Sequence, residues 1–164
     1  MLIRSENDTD ATAIRSLIAE AFIDAEHTDG TEADIVDRLR ASDGLTVSLV
    51  AIEGEEIVGH VAFSPVTMGG LAGYYGLGPV AVRHDHRRQG VGAALVRTGL
   101  DWLREEGAKG CVVLGDPGYY KRFGFAVEEE VTLPDVPAEF FQIVRMTNDR
   151  AEGAVAYHSA FGIE

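Results

Sequence analysis

The chain has 164 residues, 46% of them hydrophobic and 25% charged, with a formal net charge of −13. That length suits one domain with a buried core, and the acidic balance argues against nucleic acid or an anionic membrane surface as partner. No apolar run approaches the roughly 20 residues of a membrane-spanning helix.

Met1-Leu2-Ile3-Arg4-Ser5-Glu6 lacks the basic start and apolar middle of a secretory signal, and the single cysteine, Cys111, can close no internal disulfide. Both features give the expectation of a cytoplasmic protein. Leu2 to Ser5 reads as a first strand. Asp8, Thr9 and Asp10 offer N-caps for a helix over 10–23, in which Ile14, Leu17, Ile18, Ala21 and Phe22 recur at helical spacing. Thr31-Glu32-Ala33-Asp34 resembles a capping box and opens a second helix, which ends near Ser42-Asp43-Gly44.

Leu45 to Ile52 and Glu55 to Pro65, separated by Gly54, read as a hairpin. Leu77-Gly78-Pro79-Val80-Ala81-Val82 is a strand with a flaw. Proline removes a ladder donor and glycine admits unusual backbone angles, so a bulge or splayed edge is expected there. A helix follows over 90–106, with Val91, Leu95 and Trp102 along one side and Val96, Leu100 and Leu103 widening the apolar face. Cys111 to Leu114 is a short strand. Asp116 then caps a short helix from Pro117 to Arg122. Phe125 to Val131, Phe140 to Met146 and Ala154 to Tyr157 are late strands. The order implies a single α/β, or layered α+β, domain: a mixed sheet with helices on its faces.

Only Lys109 and Lys121 are lysines, yet Arg83, His84, His86, Arg87 and Arg88 crowd one turn. Such a cluster in an acidic protein points to an anion. The turn leads into Gly90-Val91-Gly92, where glycines let backbone approach a ligand and the helix start offers unpaired N–H groups with partial positive charge. The dinucleotide fingerprint would need glycine where Leu95 stands, and the P-loop would need Gly-Lys-[Ser/Thr]; neither is present.

Arg87-Arg88-Gln89-Gly90-Val91-Gly92 after Val80-Ala81-Val82 resembles the cofactor motif of the GCN5-related N-acetyltransferases, the GNAT superfamily. The resemblance covers most of the chain. It implies the GNAT fold, a mixed and mostly antiparallel sheet splayed at a β-bulge, with Gly78-Pro79 where that bulge would fall. It implies acetyl-CoA as cosubstrate: Val80, Ala81 and Val82 would line the pantetheine arm. Arg87, Arg88, Gln89, Gly90, Val91, Gly92 and Ala93 would take the pyrophosphate. Gly115-Asp116-Pro117-Gly118-Tyr119-Tyr120-Lys121-Arg122-Phe123-Gly124-Phe125 resembles the second motif of that superfamily, in the wording of one bacterial subgroup of predicted acetyltransferases. The closing segment around Tyr157 resembles that subgroup's ending. The implied catalytic acid is Tyr120, which would protonate the departing thiolate.

Asp116, His60 or water could deprotonate the attacking amine, and His60 also has a purely structural reading. His84 and His86 read as loop residues near phosphate. Five scattered histidines and one cysteine lack ligand spacing, so no metal is expected. Acidic residues Asp24, Glu26, Asp29, Glu32 and Asp34 could draw a cationic amine or form a solvated face. The acceptor, a small molecule or a peptide, is not specified, and monomer and homodimer both stay open. The competing reading is a non-catalytic acetyl- or acyl-CoA sensor.

Overall fold

A computed structural model describes residues 1–23 and 30–161; Asp24, Glu26 and Asp29 lie outside the described residues. The chain divides into two compact units, Met1–Phe63 with Gly78–Gly99 and Ser64–Leu77 with Leu100–Glu164.

In the first unit, β1 (Leu2–Ser5), β2 (Val47–Glu53) and the start of β3 (Glu56–Met68) pair antiparallel. Leu2 faces Ile52 and Val50 faces His60, with a register shift between Ala51 and Ile52. Helices α1 (Ala11–Phe22) and α2 (Glu32–Ala41) bury one stripe each, Ile14, Leu17, Ile18 and Ala21 on α1 and Ala33, Val36 and Leu39 on α2. Most of these residues pack with Val50, Ala62 and Ala81 into one core. Asp10 precedes α1, but its carboxylate makes no cap bond to the helix; it takes Arg4 at 2.7 Å and the Asn7 N–H at 2.8 Å.

Helix α3 (Val91–Glu105) starts in this unit and lies against Gly59. A Cβ there would fall 2.8 Å from Val91 Cγ1 and 2.9 Å from Leu95 Cδ1, so the bare backbone lets the helix close on β3. Side chains alternate across a strand, so α3 and the α1–α2 pair occupy opposite faces of these strands. Trp102 sits at the margin of the apolar face of α3 and is 38% exposed.

The second unit holds the start of β4 (Leu71–Val82), β5 (Gly110–Leu114), α4 (Pro117–Tyr120), β6 (Val131–Thr132), β7 (Phe141–Arg145) and β8 (Gly153–Ala156). β5 runs antiparallel to β7 along its whole length, but its parallel pairing with β4 covers only Tyr74 to Gly76. The ladder thus runs out just before Gly78-Pro79, the expected flaw, where Gly78 has φ 136° and the peptide bond is cis. Tyr74, Val112, Phe141, Ile143 and Val155 are among the residues of this unit's core.

The strand expected over 125–131 is reduced to an isolated bridge, Ala126 with Ile143, and the two-residue β6. Glu128-Glu129-Glu130 intervenes, and a run of like charge opposes a tight ladder. The eight strands among the described residues form one mixed sheet in the order β1-β2-β3-β4-β5-β7, with β8 on β3 and β6. No helix among the described residues is long and apolar enough to cross a membrane.

Close packing makes one helix position in the first unit sensitive. A Cβ on Gly99 would fall 2.1 Å from Phe63 Cε1 and 2.6 Å from Cζ, and Phe63 is fully buried. Helix propensity alone favours alanine over glycine by about 1 kcal/mol, whereas overpacking a core costs about 1–3 kcal/mol. Gly99→Ala is therefore expected to lower the urea midpoint of unfolding, and a raised midpoint would show that the ring yields freely.

Candidate active site

The basic turn begins where β4 ends. Arg83 is held by Glu56 at 2.7 Å and Asp85 at 2.7 Å, and its N–H bonds the Val58 carbonyl at 2.8 Å. His86 Nδ1 lies 2.8 Å from the Asp85 carboxylate. Hydrogen bonds from Arg83 and His86 pull the Asp85 carboxyl down to about 2. His84 Nε2 lies 3.1 Å from the Glu20 carbonyl at the end of α1. Much of the apparent cationic cluster is therefore already paired.

Arg87 differs from what its place in the motif implies. Its guanidinium donates to the Ala21 carbonyl at 2.7 Å and the Val82 carbonyl at 3.4 Å, tying the turn to α1. Arg88 is exposed, and no acidic partner holds it among the described residues. Its φ of 63° is left-handed, as is the 82° of Gly90. The Gly90 position is open, so backbone conformation rather than space calls for glycine there. The two left-handed residues bend the chain into α3. Ala94 is the first helical donor, to Gly90 at 3.0 Å. The N–H groups of Val91, Gly92 and Ala93 precede it and have no helical carbonyl four residues back. These donors, at the positive end of a 15-residue helix, suit an anion.

Tyr120 ends α4 in the second unit. Asp116 caps that helix, accepting the Gly118 N–H at 2.9 Å, which is the capping alternative for this residue. The Tyr120 ring lies against Gly115, where a Cβ would fall 2.5 Å from Cε2, and meets Tyr119, Phe123 and Phe125 at centroid distances of 5.0, 6.1 and 5.9 Å. The Arg122 guanidinium lies 4.3 Å over the Tyr119 ring. Burial pushes the Tyr120 phenol up to about 12, helped by nearby Tyr119 and Cys111. It therefore carries its proton at neutral pH.

His60 is fully buried. Its Nε2 lies 2.8 Å from Ser48 Oγ, and Ser48 donates its one proton to Glu6, which Arg40 grips at 2.9 and 3.0 Å. Since the serine proton goes to the carboxylate, His60 must be the donor to Ser48 and carries its hydrogen on Nε2. A buried histidine committed in this way is part of the framework. The linked groups come from β2, from α2 and from the segment after β1, and no local motif announces them. A cleft of about 630 Å³ beside α1 and β1 contains none of the cofactor-motif residues. Its two arginines are paired, Arg4 with Asp10 and Arg83 with Glu56. No group of three or more potential metal ligands occurs among the described residues.

The model of the acetyltransferase (GNAT) family matches residues 11–125. The chain belongs to the GNAT family of acetyltransferases. A relative from Escherichia coli K12, the uncharacterised N-acetyltransferase YhbS, is 38% identical over 98% of both chains. A GNAT acetyltransferase from Brucella melitensis, solved with acetyl-CoA, is 45% identical at a TM-score of 0.88, covering 98% of this chain and 97% of that one. Escherichia coli YhbS solved with CoA is 36% identical at a TM-score of 0.90, covering 98% and 91%.

Burial lowers the His60 pKa from 6.5 to about 4, against the pull of Glu6 and with a smaller contribution from Arg40. Burial raises the Glu6 carboxyl, but hydrogen bonds from Arg40 and Ser48 outweigh it and leave the pKa low. Between pH 6.5 and 4 the unfolded chain takes up a proton on His60 that the folded chain refuses. Stability is therefore expected to fall as pH drops through that window, by up to about 3 kcal/mol, with Glu6 adding in the same direction at the acid end. Urea midpoints measured across the window for the wild type and His60→Leu test this, since the variant should lose most of the slope. Equal slopes would show that His60 protonates freely in the fold.

Proposed function

We propose that this chain is a single-domain cytoplasmic N-acetyltransferase, moving the acetyl group of acetyl-CoA to an amine by direct attack in a ternary complex. The observation that carries the reading is the start of α3. Left-handed Arg88 and Gly90 lead into the unpaired N–H groups of Val91, Gly92 and Ala93, in the spacing of the family's cofactor motif. The acetyl-CoA and CoA bound by the Brucella melitensis and Escherichia coli proteins support the same cosubstrate here. Arg88 supplies the free cation toward the pyrophosphate. Arg87 shapes the turn and contributes backbone, as Gln89 does. Backbone of Val80, Ala81 and Val82 lies along the pantetheine arm.

Tyr120 is the acid. The amine nitrogen attacks the thioester carbonyl, the C–S bond breaks with its electron pair on sulfur, and the phenolic proton passes to that sulfur. The amine's surplus proton leaves to solvent and the phenol is re-protonated. No side chain is assigned as base: His60 is committed to Ser48, and Asp116 caps α4.

Two variants separate the parts of this reading. Gly92→Asp places bulk and negative charge among the α3 donors, so the thermal shift produced by coenzyme A should vanish; an undiminished shift would remove the loop from the cofactor site. Tyr120→Phe keeps the ring on Gly115 and deletes the hydroxyl. With an acceptor found from an amine panel, turnover should fall about 10- to 100-fold while coenzyme A affinity stays within twofold. Unchanged turnover would take Tyr120 out of the chemistry, and acetyl-CoA binding with no turnover on any amine would favour a sensor.

A further inference from the structure

A second phenol stands in the same unit as Tyr120, outside the proton transfer assigned to that residue. Tyr157 follows β8, and its ring lies against Gly76 of β4. A Cβ on Gly76 would fall 2.9 Å from Tyr157 Cε2, 3.4 Å from Cζ and 3.1 Å from Val66 Cγ1. Phe161 braces the ring from the side, with centroids 5.1 Å apart in a T-shaped pair. Gly76 is the last β4 residue paired with β5, opposite Val112. Gly115, which carries the Tyr120 ring, follows β5 directly. Tyr157, seated on the last paired glycine of β4, and Tyr120, seated on the glycine that follows β5, thus both lie near where the ladder between those strands ends.

The Tyr157 hydroxyl is fully buried, and no protein group among the described residues hydrogen-bonds it. A buried hydroxyl without a partner is unfavourable, and native structures seldom leave one unless a ligand or function uses it. Burial chiefly keeps the Tyr157 phenol protonated, and Tyr120 and Cys111 act in the same direction. Cys111 offers little in return: its thiol is buried, kept protonated and turned to the Val112 carbonyl at 3.7 Å.

We propose that Tyr157 is a second catalytic hydroxyl, donating a hydrogen bond to the coenzyme A sulfur as the C–S bond breaks. The proposal rests on the reading of Tyr120 as acid. As the electron pair arrives on sulfur, Tyr120 gives up its proton and Tyr157 keeps its own, holding the sulfur by O–H donation alone. Tyr157 then takes back no proton, and the balance of the transfer is unchanged.

Coenzyme A itself is the probe, so the test needs no acceptor. Ultraviolet absorbance of the thiolate, titrated with coenzyme A bound to the full chain, reports the pKa of the bound thiol. In the wild type it should lie below that of free coenzyme A. Tyr157→Phe keeps the ring on Gly76 and should raise it by about one unit, the scale of one hydrogen bond to a charged group, with coenzyme A affinity within twofold. If that variant folds poorly, Gly76→Ala, which pushes the ring aside and retains the hydroxyl, should give the same rise. A bound-thiol pKa that neither folded variant moves overturns the role of Tyr157 and leaves the acetyltransferase reading intact. Failure of the wild type to bind coenzyme A overturns both.

Discussion

The N–H groups of Val91, Gly92 and Ala93 have no carbonyl within α3 to receive them, and much of the first unit is arranged around fixing their position. Gly59 lets Val91 and Leu95 close on β3, so the helix start is set by packing against the sheet. The turn ahead of it is pinned on two sides, by Arg83 N–H to Val58 and by Arg87 and His84 to the last carbonyls of α1. Those carbonyls are at the negative end of the α1 dipole, where a guanidinium is favoured. Arg87 thus makes α1 a buttress for the α3 start. The net charge of −13 does not cancel this local preference. At physiological salt, exposed charges beyond a Debye length of about 8 Å are largely screened, while the α3 donors and Arg88 act at contact distance.

The parts legible in the sequence were those encoded within a few residues. Helical spacing marked α1, α2 and α3. Gly78-Pro79 marked the end of the β4–β5 pairing because each residue changes what the backbone itself can do. Asp116 before Pro117 marked α4 through a two-residue cap. What stayed hidden depends on residues far apart in the chain. Ser48, Glu6 and Arg40 link to His60 through a chain of hydrogen bonds, each spanning 12 to 42 residues, so His60 alone could be read as a base or as framework. Arg87 looked like an anion ligand because its partner, the Ala21 carbonyl, belongs to another helix. Tyr157 on Gly76 carries no spacing signal either. The acidic stretch at 128–130 interrupts the strand expected over 125–131, leaving a bridge at Ala126 and the two-residue β6.

The state of Tyr120 limits what one phenol can do. Aromatic rings and the Gly115 backbone enclose it, and the resulting pKa of about 12 keeps the proton in place until it is needed. The same enclosure makes the phenolate costly. An ordinary alkyl thiol ionises near 8.5, so passing a proton from this phenol to a free thiolate is uphill by roughly 5 kcal/mol. Complete transfer is then the wrong picture for most of the barrier crossing. The phenol stabilises the developing charge chiefly as a hydrogen-bond donor, and the proton moves late. A donor that never gives up its proton is free of that cost. With the rings of Tyr119, Phe123 and Phe125 packed around Tyr120, the most effective complement to a reluctant acid is another neutral hydroxyl. A charged residue there would have to be desolvated first. A hydroxyl already buried without a partner is desolvated before the sulfur arrives, so its hydrogen bond to the thiolate forms without first losing one to water.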